Sequence, residues 1–79
     1  MESSYSIIIP IHNEIKSIPQ LLKELEQFSF NNEIIIINDG SNDGSKILLE
    51  KYSFIKLINL KNNRGKGIAI KVGINSAKN

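Results

Sequence analysis

Three polar stretches hold most of the residues that could do chemistry: Pro10-Ile11-His12-Asn13-Glu14, Asn38-Asp39-Gly40-Ser41-Asn42-Asp43-Gly44 and Asn63-Arg64-Gly65-Lys66-Gly67. In the first, the flat ring of His12 can stack on another aromatic ring or serve as a hydrogen-bonded surface residue. Glu14 stands just ahead of a helix start, where a carboxylate also interacts favourably with the helix dipole. In the second, Asp39, Ser41, Asp43, Gly44 and Glu50 fall at the first, third, fifth, sixth and twelfth positions of a calcium-loop pattern. Its context speaks against calcium, because an isoleucine run precedes it where such a loop needs a helix, and Lys46 takes a place that is usually apolar. The reading that fits puts Asp39 at a strand end with its carboxylate in a ligand crevice, and Asp43 at a helix N-terminus as a cap. In the third stretch, glycines let the backbone approach a ligand, and the helix that follows favours an anion at its N-terminus. The spacing is not that of a Walker A loop, since Ile68 follows Gly67, so a phosphate-approaching loop and a plain turn both remain open.

These stretches need elements to position them. Residues 5–11 form a β-branched run that predicts a strand buried on both faces and ending near Pro10. Ser17 and Gln20 have capping-box spacing, Pro19 suits the first helical turn, and Ile18, Leu21, Leu22, Leu25 and Phe28 make one apolar stripe. Residues 33–38 contain four consecutive isoleucines and predict a second buried strand. Residues 45–52 read as a short helix with Ile47, Leu48 and Tyr52 inward, and residues 54–60 as a third strand. A last helix is expected over residues 67–78, with Ile68, Ala69, Val72, Ser76 and Ala77 on one side. The order βαβαβα implies a parallel sheet with right-handed crossovers, and such sheets bind ligands beyond the carboxyl ends of their strands. All three polar stretches lie at that edge.

Composition bounds the rest. A chain of 79 residues permits one small domain. It has no cysteine, which excludes a disulfide framework and a thiolate metal site and fits a reducing, cytoplasmic compartment. No apolar run approaches the roughly 20 residues a membrane span needs, and Met1 to Ser4 offer no basic flank of a signal peptide. The net charge of +2 hides an asymmetry: all eight acids and three lysines lie in residues 1–50, and the other seven basic groups lie in residues 51–79. That basic segment reads as a solvated face or as one meeting phosphate or an acidic partner. Few aromatics accompany it, which argues against nucleic acid as a partner.

Taken together and in order, the three stretches resemble the family 2 glycosyltransferases over nearly the whole chain, and the third looks nearest to the dolichyl- or polyprenyl-phosphate hexosyltransferase branch. The resemblance implies a Rossmann-like βαβαβα half of a GT-A fold, with a parallel three-stranded sheet ordered 3-2-1. It implies that residues 1–79 are a truncated nucleotide-sugar-binding subdomain. Pro10, His12 and Glu14 then line the nucleotide pocket, with His12 where tyrosine is usual. Asp39 contacts the base, and Lys66 lies near the nucleotide. In the family a later Asp-x-Asp motif holds Mg or Mn on the diphosphate and a catalytic base follows. After Gly44 this chain has one carboxylate, Glu50, so neither a metal ligand set nor a catalytic residue is expected within it. The chain is expected to be inactive alone, a fragment of a longer enzyme that transfers a hexose to a lipid phosphate or glycan, or a truncated gene product. The expected partners are a nucleotide diphosphate sugar, a second copy through the first strand, and, for the parent at the cytoplasmic membrane face, a membrane-associated acceptor. The competing reading is a non-catalytic Rossmann-like module that binds a nucleotide or a protein.

Overall fold

A computed structural model describes residues 5–78, so the signal-peptide reading of Met1 to Ser4 lies outside the described residues. The elements run β1 (Ser6–Ile11), α1 (Ile18–Glu26), β2 (Glu33–Asp39), α2 (Ser45–Leu49), β3 (Lys56–Leu60) and α3 (Lys66–Ser76). The three strands form one parallel sheet in the order β1-β2-β3, the expected 3-2-1 arrangement read from the other edge. Ile9 pairs with Ile36 and Ile36 with Leu57, which brings the carboxyl ends of all three strands to one side.

β2 is the centre of the structure because helices cover both of its faces. Ile34 and Ile36 face α1 and α2 and pack with Ile11, Ile18, Leu22, Leu25 and Leu49. Ile35 and Ile37 face the other way and pack with Ala69 of α3. All four isoleucines are buried, and burial of each stabilises the fold by about 1.5–3 kcal/mol. β1 differs from the expectation of two-sided burial. Ile7, Ile8 and Ile9 are only half-buried, because β1 is an outer strand of the described sheet.

The helices depart from the sequence expectations for local reasons. The capping box of α1 does not form, since Ser17 itself has helical dihedrals (φ −88°, ψ −17°) and cannot fold its hydroxyl over the first turn. Gln20 turns to Glu24 instead. Ile18, Leu22 and Leu25 are buried as the stripe requires, but Phe28 lies beyond the helix end and is exposed. α2 is shorter than expected and begins at buried Ser45. The i, i+4 spacing then turns Leu49 inward and leaves Ile47 66% exposed, while Leu48 and Tyr52 pack at the margin of the core. β3 starts at Lys56. Phe54 precedes it and meets Tyr52 edge to face, with ring centroids 6.1 Å apart. In α3 the buried positions are Ala69 and Gly73, and Ile68 is 44% exposed rather than inward.

Gly73 sets how closely α3 lies on the sheet. A methyl group there would collide with Ile8 Cγ2 and come within 2.7 Å of Ile37 Cδ1. Gly73→Ala is therefore expected to lower stability by about 1–3 kcal/mol through overpacking, seen as an earlier urea midpoint. An unchanged midpoint would show that α3 can lift from the sheet without cost.

Candidate functional site

The three loops at the carboxyl ends of the strands are tied together by side chains reaching to backbone. Asp39, the last residue of β2, is 3% exposed and needs donors for both oxygens. Its Oδ1 accepts the N–H of Arg64 at 2.7 Å and its Oδ2 the N–H of Gly65 at 2.9 Å. Gly65 reaches this position with φ 94°, a left-handed value that glycine takes without strain. Gly40 secures the same loop by its lack of a side chain, since a methyl group there would overlap the backbone of Asn62 and Asn63. The N–H groups just ahead of α3 thus meet the chain's own carboxylate, where the glycine-rich stretch left phosphate and a plain turn open.

The first loop is held to the second. His12 Nδ1 lies 2.7 Å from the carbonyl oxygen of Asp39. A carbonyl can only accept, so Nδ1 carries the proton and Nε2 of the neutral ring keeps its lone pair. That lone pair faces Asn13 Nδ2 at 3.3 Å. Asn13 adopts φ 51°, donates its N–H to Ser41 Oγ and accepts the N–H of Asn42 on its own Oδ1. Asp43 completes the clasp: Oδ2 accepts the N–H of Ile15 and Oδ1 accepts both the N–H and the hydroxyl of Ser45. The N-cap of α2 is Gly44 rather than Asp43, but Asp43 still takes the N–H of Ser45 in the first turn, and a second role joins this, the link to the first loop. The side-chain oxygens of Asp39, Ser41 and Asp43, which a calcium loop would converge on a cation, are engaged here by separate protein donors.

Between the first and third loops lies a pocket of about 140 Å³, lined by Pro10, Ile11, His12, Glu14, Asp39, Asn63, Gly65 and Lys66. All five residues singled out in the sequence (Pro10, His12, Glu14, Asp39 and Lys66) line it. Asp39 is buried, while His12, Glu14 and Lys66 are exposed. Glu14 also accepts the N–H of His12 at 3.3 Å. The wall therefore offers an aromatic ring, carboxylates and one cation, a set suited to a ligand with a flat ring and an anionic part. Sequence reasoning singled out neither Asn63 and Gly65 as lining residues nor the clasp through Asn13, Ser41 and Asn42. The signal available for Gly65 was its place in a stretch with two glycines. For Asn13 there was none beyond the tolerance of asparagine for left-handed backbone. Among the described residues no three His, Cys, Asp or Glu side chains stand close enough to hold a metal ion.

A parallel sheet with polar loops over its carboxyl edge, and a pocket between two of them, defines a Rossmann-like α/β unit of the GT-A type. The chain belongs to glycosyl transferase family 2, whose family model matches residues 6–79. It is 40% identical over 84 residues to a dolichyl-phosphate beta-glucosyltransferase of Dictyostelium discoideum, a match covering 87% of this chain and 26% of that protein. It is 39% identical over 82 residues to an undecaprenyl-phosphate 4-deoxy-4-formamido-L-arabinose transferase of Aeromonas hydrophila, covering 92% of this chain and 25% of that protein. Among solved structures it resembles a mannosyltransferase from Pyrobaculum calidifontis in complex with GDP-Man and Mn2+. The TM-score is 0.74 at 20% identity, covering 94% of this chain and 24% of that one. The chain spans about a quarter of the length of these relatives.

The clasp carries a pH dependence. The Ser45 hydroxyl, ahead of an opposing effect of burial and aided by the N–H groups of Ile15 and Ser45, holds the Asp43 carboxyl below its ordinary value of 3.8. A depressed folded-state value means that Asp43 contributes stability at neutral pH, and that this is lost as pH falls through the folded value. We expect the Ile15 and Ser45 amide resonances to move together with Asp43 protonation, at a midpoint below 3.8. A midpoint at or above that value would show that the clasp does not hold the charged form.

Proposed function

We propose that this chain is the nucleotide-diphospho-sugar-binding part of a glycosyltransferase that passes a hexose to a lipid phosphate. The observation that carries this reading is the convergence of Pro10, His12, Glu14, Asp39 and Lys66 on one pocket. The names of the relatives supply the chemistry of donor and acceptor. In the proposed complex the base enters between the loops. His12 stacks on its face while Nδ1–H stays on the Asp39 carbonyl. Asp39 accepts a base N–H through a second lone pair, since each oxygen accepts only one N–H from the third loop. Lys66, at the first turn of α3, offers its charge to the diphosphate.

The diphosphate also calls for a divalent cation of the kind bound with GDP-Man in the mannosyltransferase. Mg or Mn would there offset charge developing on the leaving group. The residues present do not fit that ion. Asp39 and Asp43 are turned to protein N–H groups, and no third ligand stands near them among the described residues. No step through a metal is therefore assigned to this chain. Sugar transfer is assigned to a longer protein that supplies the cation site and a base.

Titration of the chain with uridine and guanosine diphosphates, followed by amide NMR, tests this reading. Without the cation the affinity is expected to be millimolar, about −4 kcal/mol, with shifts at residues 10–14, 38–44 and 63–66. His12→Ala is expected to weaken it. The same sample given manganese and a nucleotide sugar is expected to release no sugar. Shifts confined to other parts of the chain would remove the assignment.

The second partner proposed is another copy of the chain. Glu33 N–H bonds to the Tyr5 carbonyl. In a parallel ladder alternate residues face the neighbour, so Ile7 and Ile9 turn their main-chain groups to β2, and Ile8 and Pro10 turn theirs to the open side. Pro10 lacks an N–H and is the one built-in protection of this edge. A small domain supplies only a few kcal/mol of stability, so an apolar outer strand is hard to leave uncovered. Sedimentation with hydrogen exchange is expected to show self-association with a protected Ile8 amide. A monomer at high concentration with a fast-exchanging Ile8 amide would refute it.

A further inference from the structure

We infer that the outer face of α3, continuous with the loop leading into it, is a docking surface for an anionic lipid bilayer. α3 lies against the sheet through Ala69 and Gly73. At 100° per residue, Lys71 points directly away from these two, with Ile68 and Ile74 on either side of it. Ile68 is 44% and Ile74 58% exposed. A helix on the surface of a soluble domain normally keeps its apolar residues on the side facing the core. α3 instead carries isoleucine on its solvent side as well, which calls for a cover.

Charge identifies the cover. Lys61 and Arg64 stand exposed in the loop before α3, Lys71 at its middle, and Lys78 exposed just past its end. Residues 51–79 contain no acid, and the carboxylates that reach them, Asp39 at Arg64 and Gly65 and Glu33 at Lys78, accept backbone N–H groups there. On the opposite face of the sheet, α1 and the end of α2 bring Glu24, Glu26 and Glu50 among their lysines. The charge asymmetry along the sequence thus becomes an asymmetry across the sheet, with Ile68 and Ile74 exposed on the cationic side and Ile47 alone among the exposed isoleucines on the other. Basic residues interleaved with a few apolar ones suit the headgroup layer of a bilayer with anionic lipid, where lysines meet phosphate and short apolar chains dip below it. Such attachment is peripheral. Among the described residues no helix is long and apolar enough to cross a membrane. The surface also runs into the rim of the pocket through Lys66, which would hold the donor beside the plane of a lipid-phosphate acceptor. The inference rests on the lipid-acceptor reading for its purpose, but not for its test.

Co-sedimentation of the chain with phosphatidylcholine vesicles containing about 30% phosphatidylserine tests the surface. Binding is expected with these vesicles, none with pure phosphatidylcholine, and loss in high salt. Arg64→Gln, Lys71→Gln and Lys78→Gln are each expected to weaken it roughly fivefold, and Ile68→Ser with Ile74→Ser to abolish it. Lys23→Gln with Lys46→Gln, on the other face, should leave it unchanged. Circular dichroism and the nucleotide titration, run on every variant, separate lost docking from lost folding or donor binding. A folded chain that binds diphosphate but ignores anionic vesicles overturns the surface and leaves the donor site standing. One that binds vesicles but no nucleotide supports the surface and sinks the donor site. Equal loss from the Lys23/Lys46 pair, or a lipid-free dimer that Ile68→Ser with Ile74→Ser dissolves, assigns the face elsewhere and overturns the proposal.

Discussion

A carboxylate at the buried end of a central strand must find donors, and Asp39 finds them in the backbone of a different loop. Its oxygens accept the N–H groups of Arg64 and Gly65, while its own carbonyl accepts a hydrogen bond from His12 Nδ1–H. One residue therefore fixes the distance between the first and third loops, and the pocket is the space left between them. A buried carboxylate left without these partners would cost several kcal/mol, so the loops cannot drift apart without exposing it. Gly40, the next residue, has no side chain and lets the third loop lie directly on the strand end. The spacing of the loops around the pocket is thus set by two consecutive residues, Asp39 at the end of β2 and Gly40 just after it.

The sheet beneath explains why this arrangement is rigid at one side and open at the other. β2 is flanked by strands and covered by helices on both faces, so its end is the best-anchored point in the chain. Next to Asp39, Asn38 is 3% exposed and donates to Asn59 across the sheet, while its own Oδ1 has no partner among the described residues. β1, by contrast, is paired on one side and half-buried, yet it leads into the loop that holds His12 and Glu14. The clasp of Asn13, Ser41, Asn42 and Asp43 compensates by tying its loop to the second loop, which is anchored to β2.

The two faces of the sheet are built differently. The face under α1 and α2 holds a broad core in which long side chains interdigitate, with Tyr52, Phe54 and Leu57 at its margin. The face under α3 is thinner and relies on small residues, Ala69 and Gly73, that let the helix approach closely. Ala69 and Gly73 face the sheet, Ile70 and Val72 are half-buried, and Ile68 and Ile74, flanking Lys71 on the far side of the helix, point to solvent.

Much of this was legible from the amino-acid order. Four isoleucines in a row declare a strand covered on both faces, alternation of strand and helix declares a parallel sheet, and that topology alone places all three polar loops at one edge. The convergence of Pro10, His12, Glu14, Asp39 and Lys66 follows from it. The sequence could not say which residues face inward on short helices. The direction of α2 depends on where its first turn begins, and α3 is apolar nearly all round, so periodicity misplaced Ile47 and Ile68. Nor could it assign the partners of polar side chains. Ser17 failed to close a capping box because its backbone is helical, and Asp43 gained Ile15 because the first loop folds over it. The carboxylate of Asp39 meets Arg64 and Gly65, twenty-five and twenty-six residues on. Such contacts join segments far apart in the chain, and only the packing of helices on the sheet brings their donors within reach.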